Sequence, residues 1–270
     1  MALRSAIINV MAMAADKAGR SLVRDFGEVE QLQVSRKGPA DFVSSADMRA
    51  EKILRNALAQ AHPEFGLLME EGGEIKGSDD RHRWIIDPLD GTTNFLHGLP
   101  HFCISVALER DGQVVAGIVY DPVKDELFWA ERGLGAYVND RRLRVSGRGR
   151  MREGVFATGI PFLGIQDGPG HQKFLGQLGS VMAECAGVRR FGSAALDLAY
   201  VAAGRYDGFW ENGLNPWDVA AGVLLVREAG GLVTDIAGRR YELGAADICA
   251  GNDQLHQPLR NLLRKMPARD

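Results

Sequence analysis

The chain has 270 residues, with 32 Lys and Arg against 35 Asp and Glu for a formal charge of −3, and is 46% hydrophobic and 25% charged. Those figures exclude wholesale disorder and weigh against a dedicated nucleic-acid binder, which is usually basic overall. Cys103, Cys185 and Cys249 lie too far apart for a zinc or redox pair and fit a reducing compartment better than a disulfide framework.

At the N-terminus, Leu3, Ile7, Val10, Ala14, Ala18 and Leu22 recur at helical spacing, with Asp16, Lys17, Arg20 and Arg24 between them. Arg4 followed by an apolar run to Ala15 imitates a signal peptide, with Ala12 and Ala14 as its cleavage site. The helical period continues past that site, so the stretch is expected to be an amphipathic helix of the folded protein. The best later apolar run, Val219 to Val226, is too short to span a bilayer. A soluble, cytoplasmic protein is expected.

A polar, turn-rich stretch, Ser35 to Asp41, precedes a second helix capped by Ser45 or Asp47, with Ile53, Leu54, Ala57, Leu58 and Ala61 as its buried stripe. Phe65 to Met69 and Arg83 to Ile86 read as buried strands. Cys103 to Glu109, Val114 to Tyr120 and Glu126 to Ala130 then form an antiparallel meander that ends near Asp140. Beyond a glycine-containing segment with Arg141, Arg142, Arg144, Arg148, Arg150 and Arg152, short strands alternate with helices. The strands are expected at 155–159, 188–191, 206–210, 231–235 and 247–250. The helices are expected within 171–186 and at 193–204, 216–229 and 253–265. Such alternation implies parallel strands. The expected organisation is an α+β antiparallel half, residues 1–146, followed by an α/β half, residues 147–270.

The most informative run is Trp84-Ile85-Ile86-Asp87-Pro88-Leu89-Asp90-Gly91-Thr92-Thr93-Asn94. An apolar strand delivers Asp87 at its end, Pro88 stops the ladder, and Asp90 follows across a tight turn. Gly91 allows close backbone approach, and Thr92 and Thr93 begin a helix. Two carboxylates on a stiff turn suit Mg2+, and the amides of a helix start suit an anion. Upstream, Glu70 and Glu71 end another strand, where adjacent carboxylates repel unless they point apart or share a cation. Asp218, near the start of a later helix, reads on its own as an N-terminal helix carboxylate first and a ligand second. His97 and His101 read as packing or surface residues, and Trp84, Trp129, Trp210 and the cysteines as core.

Asp87-Pro88-Leu89-Asp90-Gly91-Thr92-Thr93-Asn94 resembles the D-P-x-D-G-T-x-N signature of the inositol monophosphatase family, and Trp217 to Gly222 resembles its second signature, W-D-x-A-A-G. The resemblance runs from about residue 3 to residue 262. It takes in Lys37-Gly38-Pro39-Ala40-Asp41 to Asp47 and Arg190-Phe191-Gly192-Ser193-Ala194-Ala195, and is strongest to the bacterial extragenic-suppressor (SuhB) type. It implies a layered αβαβα, sugar-phosphatase-like fold and a Mg2+-dependent phosphate monoester hydrolase with two or three Mg2+ per site. Glu70, Asp87, the Leu89 carbonyl, Asp90 and Asp218 match the family's metal ligands, and Glu70 with Thr92 the pair that positions and deprotonates water. The Gly91 and Thr92 amides match its phosphate cradle. Gly192, Ser193, Ala194 and Glu211, with Asp90 and Asp218 in part, match its polyol contacts. Lys37 and Asp47 match positions near a weaker metal site.

The resemblance further implies hydrolysis of inositol 1-phosphate to myo-inositol, lithium sensitivity and a homodimer. Histidinol phosphate, a nucleotide 3′-phosphate and fructose bisphosphate are alternative substrates. Gly72-Gly73 replaces a serine common in animal members, Ser193 replaces a threonine, and Ile160 to His171 is where members are expected to differ. Six arginines between Arg141 and Arg152 also admit a regulatory contact with RNA or RNA polymerase, although a solvated segment between the halves is the simpler reading.

Overall fold

The structure is a computed structural model that describes residues 4–28, 34–38, 41–161 and 168–265, with 34–38, 41–43 and 168–169 described by backbone alone. The first half contains α1 (Ala6–Phe26), β1 (Val34–Gly38), β2 (Asp41–Ser44), α2 (Ser45–Ala61), β3 (Phe65–Met69), β4 (Gly73–Ile75), β5 (Asp79–Asp90) and α3 (Thr92–Leu96). It continues through β6 (Cys103–Arg110), β7 (Gln113–Asp121), β8 (Glu126–Glu131), β9 (Gly135–Val138) and β10 (Arg141–Arg142). The second half contains β11 (Val155–Thr158), α4 (Gly168–Met182), β12 (Gly187–Arg189), α5 (Ala194–Ala202), β13 (Gly208–Asn212), α6 (Pro216–Glu228), β14 (Leu232–Thr234), β15 (Asp247–Gly251) and α7 (His256–Arg264).

Eight strands form the first sheet, in the order β10-β9-β8-β7-β6-β5-β3-β4, and five the second, in the order β12-β11-β13-β15-β14. α1 and α2 cover one face of the first sheet. α5 and α6 lie between the two sheets, and α4 and α7 cover the outer face of the second. This is the expected αβαβα layering. Because the first sheet is covered on both sides, its central strands carry apolar residues on both faces. On β6, Ile104, Val106 and Leu108 pack toward α1 and α2, whereas Cys103 and Ala107 pack toward α5 and α6.

Several expectations need correction. The buried stripe of α1 is Ile8, Met11, Ala14, Ala15, Ala18 and Leu22; Ile7 and Val10 are half-buried, and Leu3 lies outside the described residues. The cap of α2 is Ser44, with Asp47 at the third helical position returning the bond, and Ala61 is exposed. The turn-rich stretch contains β1 and β2, an antiparallel pair. Pro88 does not end its strand. β5 continues to Asp90 through an irregularity in which Asp87 faces Ser105 and Asp90 faces Cys103, a bulge of the kind that re-aims side chains. The second sheet is mixed. β12 and β13 run parallel to β11, whereas β15 runs antiparallel to both β13 and β14. The helical crossovers place their strands parallel, and β15, reached from β14 without a helix, inserts between β13 and β14 in the opposite sense. Trp84, Trp129, Trp210, Cys103 and Cys249 are buried as expected, but Cys185 is only half-buried.

Candidate active site

Both sheets turn the ends of strands toward one cavity of about 230 Å³. β3 supplies Glu70 just past its end, and the bulged end of β5 supplies Asp87, Leu89 and Asp90. The turn into α3 supplies Gly91 and Thr92, and the turn into α5 supplies Gly192, Ser193 and Ala194. β13 supplies Glu211 and α6 supplies Asp218. All eleven residues singled out as metal, catalytic or substrate positions therefore line one wall system, although the chain separates them by up to 148 positions (218 − 70). Glu71 turns its amide to Glu51 Oε2 on α2 at 2.8 Å.

Asp87 is 2% exposed, and its Oδ1 accepts the Leu89 amide at 2.9 Å. Asp90 accepts Ser193 Oγ at 2.6 Å and the Ala195 amide at 2.8 Å, both on Oδ2, with Cys103 Sγ at 3.8 Å on the same atom. The other oxygen carries none of these bonds. Asp218 occupies the third position of α6 and accepts the Asn215 amide at 2.6 Å. The capping role read first for Asp218 is thus present, and it leaves the residue on the cavity wall. Thr92 Oγ1 lies 3.1 Å from Asp47 Oδ1 and 3.0 Å from the Leu89 carbonyl. Asp47, fully buried and capped by Ser44, therefore stands behind Thr92 and not on the cavity wall. Lys37 lies in β1, where only the backbone is described.

Burial dominates the electrostatics. It raises the Asp87 carboxyl well above the ordinary range, with repulsion from Glu70, Asp90 and Asp218 adding to it. Asp218 is raised likewise by burial and then by Asp90. In Asp90 the same burial is opposed by Ser193 and the Ala194 and Ala195 amides. Glu211 is pushed up to about 8 by burial and by Asp90, with Arg190 acting against it. Four carboxylates and one backbone carbonyl in a shared pocket are a hard-oxygen donor set, and their mutual repulsion is relieved by a divalent cation. The residues present fit Mg2+ held by Glu70, Asp87, the Leu89 carbonyl, Asp90 and Asp218. Among the described residues, no three acidic, His or Cys side chains already close around a single point.

The sequence did not single out Arg190, the one cation on this wall among the described residues, nor Gly159. Gly159 sits where a Cβ would overlap the Glu211 carboxylate, so any other residue there would force that carboxylate to shift. No sequence signal marks it, because the need arises from a strand 52 residues on (211 − 159). Gly91, with φ +98°, was legible from its place in the signature. Asn94 stood inside the quoted motif without a role. Its Nδ2 donates to the carbonyls of His101 and Phe191 at 2.7 and 2.6 Å. His97 is exposed and His101 is half-buried, and neither lines the cavity.

The arginine segment borders a different and open groove of about 750 Å³, lined in part by Arg144, Arg148 and Arg150. Arg148 pairs with the buried Asp207 at 2.9 Å, and Arg150 pairs at the surface with Glu153 at 3.4 Å, so part of the segment's charge is balanced within the chain. Among the described residues, no helix is long and apolar enough to cross a membrane.

Residues 3–267 match the model of the inositol monophosphatase family. An inositol-1-monophosphatase of Rhizobium meliloti is 58% identical over 262 residues, 97% of each chain. The Nus factor SuhB of Escherichia coli K12 is 45% identical over 92% of each. The crystal structure of the extragenic suppressor protein SuhB of Bartonella henselae superposes with a TM-score of 0.93 at 60% identity, covering 97% of this chain and 99% of that one.

Proposed function

The chain belongs to the inositol monophosphatase family, a family of phosphatases, and from that premise we propose that it hydrolyses a small polyol phosphate, foremost inositol 1-phosphate, with Mg2+ as cofactor. One observation carries the reading: eleven residues matched to the family's ligand, water-positioning and substrate roles line a single cavity with five carboxylates among them, four of them matched to metal ligands. Uncatalysed hydrolysis of phosphate monoesters is among the slowest reactions known, because the dianion repels the nucleophile. Divalent cations bound there would neutralise phosphoryl oxygens and lower the pKa of water.

The chain's own residues do the rest. Glu70 and the Thr92 hydroxyl, the latter held by Asp47 and the Leu89 carbonyl, orient the attacking water and take its proton. The Gly91 and Thr92 amides face the phosphate. Water attacks phosphorus, the ester P–O bond breaks, and the departing alcohol takes up a proton. Ser193, Ala194 and Glu211, with Asp90 and Asp218 in part, hold the hydroxyls of the alcohol. No covalent nucleophile is required.

The test is phosphate release with Mg2+, with and without lithium, over inositol 1-phosphate, histidinol phosphate, a nucleotide 3′-phosphate and fructose bisphosphate. Asp87→Asn and Asp218→Asn, which each remove one ligand charge, should lower kcat at least ~100-fold while leaving the fold intact. Undiminished turnover in both variants would retire the proposal. A cytoplasmic homodimer, with two or three Mg2+ per site, is the form in which the enzyme is proposed to act. Contact with RNA or RNA polymerase through Arg141–Arg152 draws support from the naming of relatives as Nus factors. The pairing of Arg148 and Arg150 makes it an adjunct to catalysis in this proposal.

A further inference from the structure

Asn94 is 7% exposed and lies in α3, at the last position of the first signature. It does not line the cavity. Both hydrogens of its side-chain amide are used, one on the His101 carbonyl at 2.7 Å and one on the Phe191 carbonyl at 2.6 Å. Two carbonyl acceptors fix the orientation of the amide, since only its nitrogen can face them. The acceptors belong to different parts of the site. His101 backs the turn at Gly91, where its carbonyl would sit 3.0 Å from a Cβ. Phe191 immediately precedes the Gly192-Ser193-Ala194 wall.

That wall is gripped from two sides. Asp90 holds it through Ser193 Oγ and the Ala195 amide, and Asn94 holds it through the carbonyl two residues before Ser193. The Asp90 grip belongs to a residue that also faces the cations. The Asn94 grip carries no charge and touches neither phosphate nor cation. We infer that Asn94 is a positioning residue that sets the distance between the phosphate-facing turn at Gly91–Thr93 and the alcohol-facing wall at Arg190–Ala194. This rests on the phosphatase reading and deepens it. Asn94 acts on recognition of the polyol and leaves the cleavage of the P–O bond alone. A small displacement of a substrate-positioning wall is enough to be felt in this way.

The experiment compares two substrates on wild type, Asn94→Ala and Asn94→Asp. One is inositol 1-phosphate, and the other is p-nitrophenyl phosphate, whose leaving group has no hydroxyls for the wall to hold. Asn94→Ala should raise KM for the polyol ester about tenfold, the equivalent of 1.4 kcal/mol, with kcat little changed. Its kcat/KM for p-nitrophenyl phosphate and its inhibition by inorganic phosphate should stay within about twofold of wild type. Asn94→Asp keeps the shape but turns at least one acceptor oxygen to a carbonyl, so its polyol KM should rise at least as much as that of Asn94→Ala. Equal losses on both substrates, an unchanged polyol KM, or failure of both variants to fold would each overturn the assignment. Failure of the phosphatase reading is separately visible, because wild type would then release phosphate from neither ester.

Discussion

Asp197 shows what a single buried carboxyl does when no ion pair neutralises it directly. It lies on α5, 1% exposed, and its Oδ1 has no hydrogen-bond partner among the described residues. Burial raises its pKa well above the ordinary carboxylate range, and Glu211 and Asp90 push it the same way, against a smaller pull from Arg190. A group whose pKa is raised on folding contributes stability fully below its unfolded value of about 4 and loses it as pH climbs toward the folded value. Asp197→Asn removes that loss. The variant should melt close to wild type at pH 4 and above it at pH 8, the gap widening between; a melting difference that is flat or reversed across that range would contradict the argument. Sequence could not expose Asp197, which reads as one more polar residue on a helix. Asp87, Asp90 and Asp218 were legible because each stands at an element end beside a proline, glycine or helix start. Arg190 and Gly159 were not, since their roles exist only relative to Glu211 and the wall opposite.

Among the elements, the segment that joins the halves is tied down chiefly at Asp207, with Asn252 also donating to Ser146 Oγ and the Arg148 carbonyl. Asp207, fully buried just before β13, accepts Ser146 Oγ at 2.5 Å, Arg148 Nη1 at 2.9 Å and the Val155 amide at 2.8 Å. It therefore ties the arginine segment to the start of β11 and β13. Removing one partner of a buried charged network strands the others, so Asp207→Ala should cost about 3 kcal/mol. For a domain of this size that is a fall of roughly 10 °C in melting temperature. Thermal unfolding by circular dichroism measures it, and a shift below about 2 °C would show that water replaces the carboxylate. The strands of the meander were legible from their apolar runs between Asp-Gly and Asp-Pro turns. The short β4 and β10 were not, because two or three residues carry no period. Nor was the direction of β15, because strand sense is set by the route of the connection and not by the residues in the strand.

At the scale of the whole molecule, the proposed metal ligands straddle the layers. Glu70, Asp87, Leu89 and Asp90 come from the first sheet, and Asp218 from the helix layer between the sheets. A cation bound there would bind the folded chain and not the unfolded one, so it should stabilise in proportion to the logarithm of its concentration. The raised carboxyls add a sign to this linkage. Asp87, Asp90 and Asp218 are all raised by burial, and each holds protons longer than a free carboxylate as pH increases. Mg2+ must displace those protons, so its binding releases them and its affinity should increase from pH 6 to pH 8. Titration calorimetry in buffers of different ionisation enthalpy would read the protons released directly. The rise in melting temperature at fixed Mg2+ should be larger at pH 8 than at pH 6. Asp218→Asn should reduce both the proton release and the thermal shift, because it removes the one ligand that α6 contributes. Metal affinity independent of pH, with no protons released, would mean that the carboxylates are already ionised in the metal-free protein. Burial would then not be the force that sets their charge.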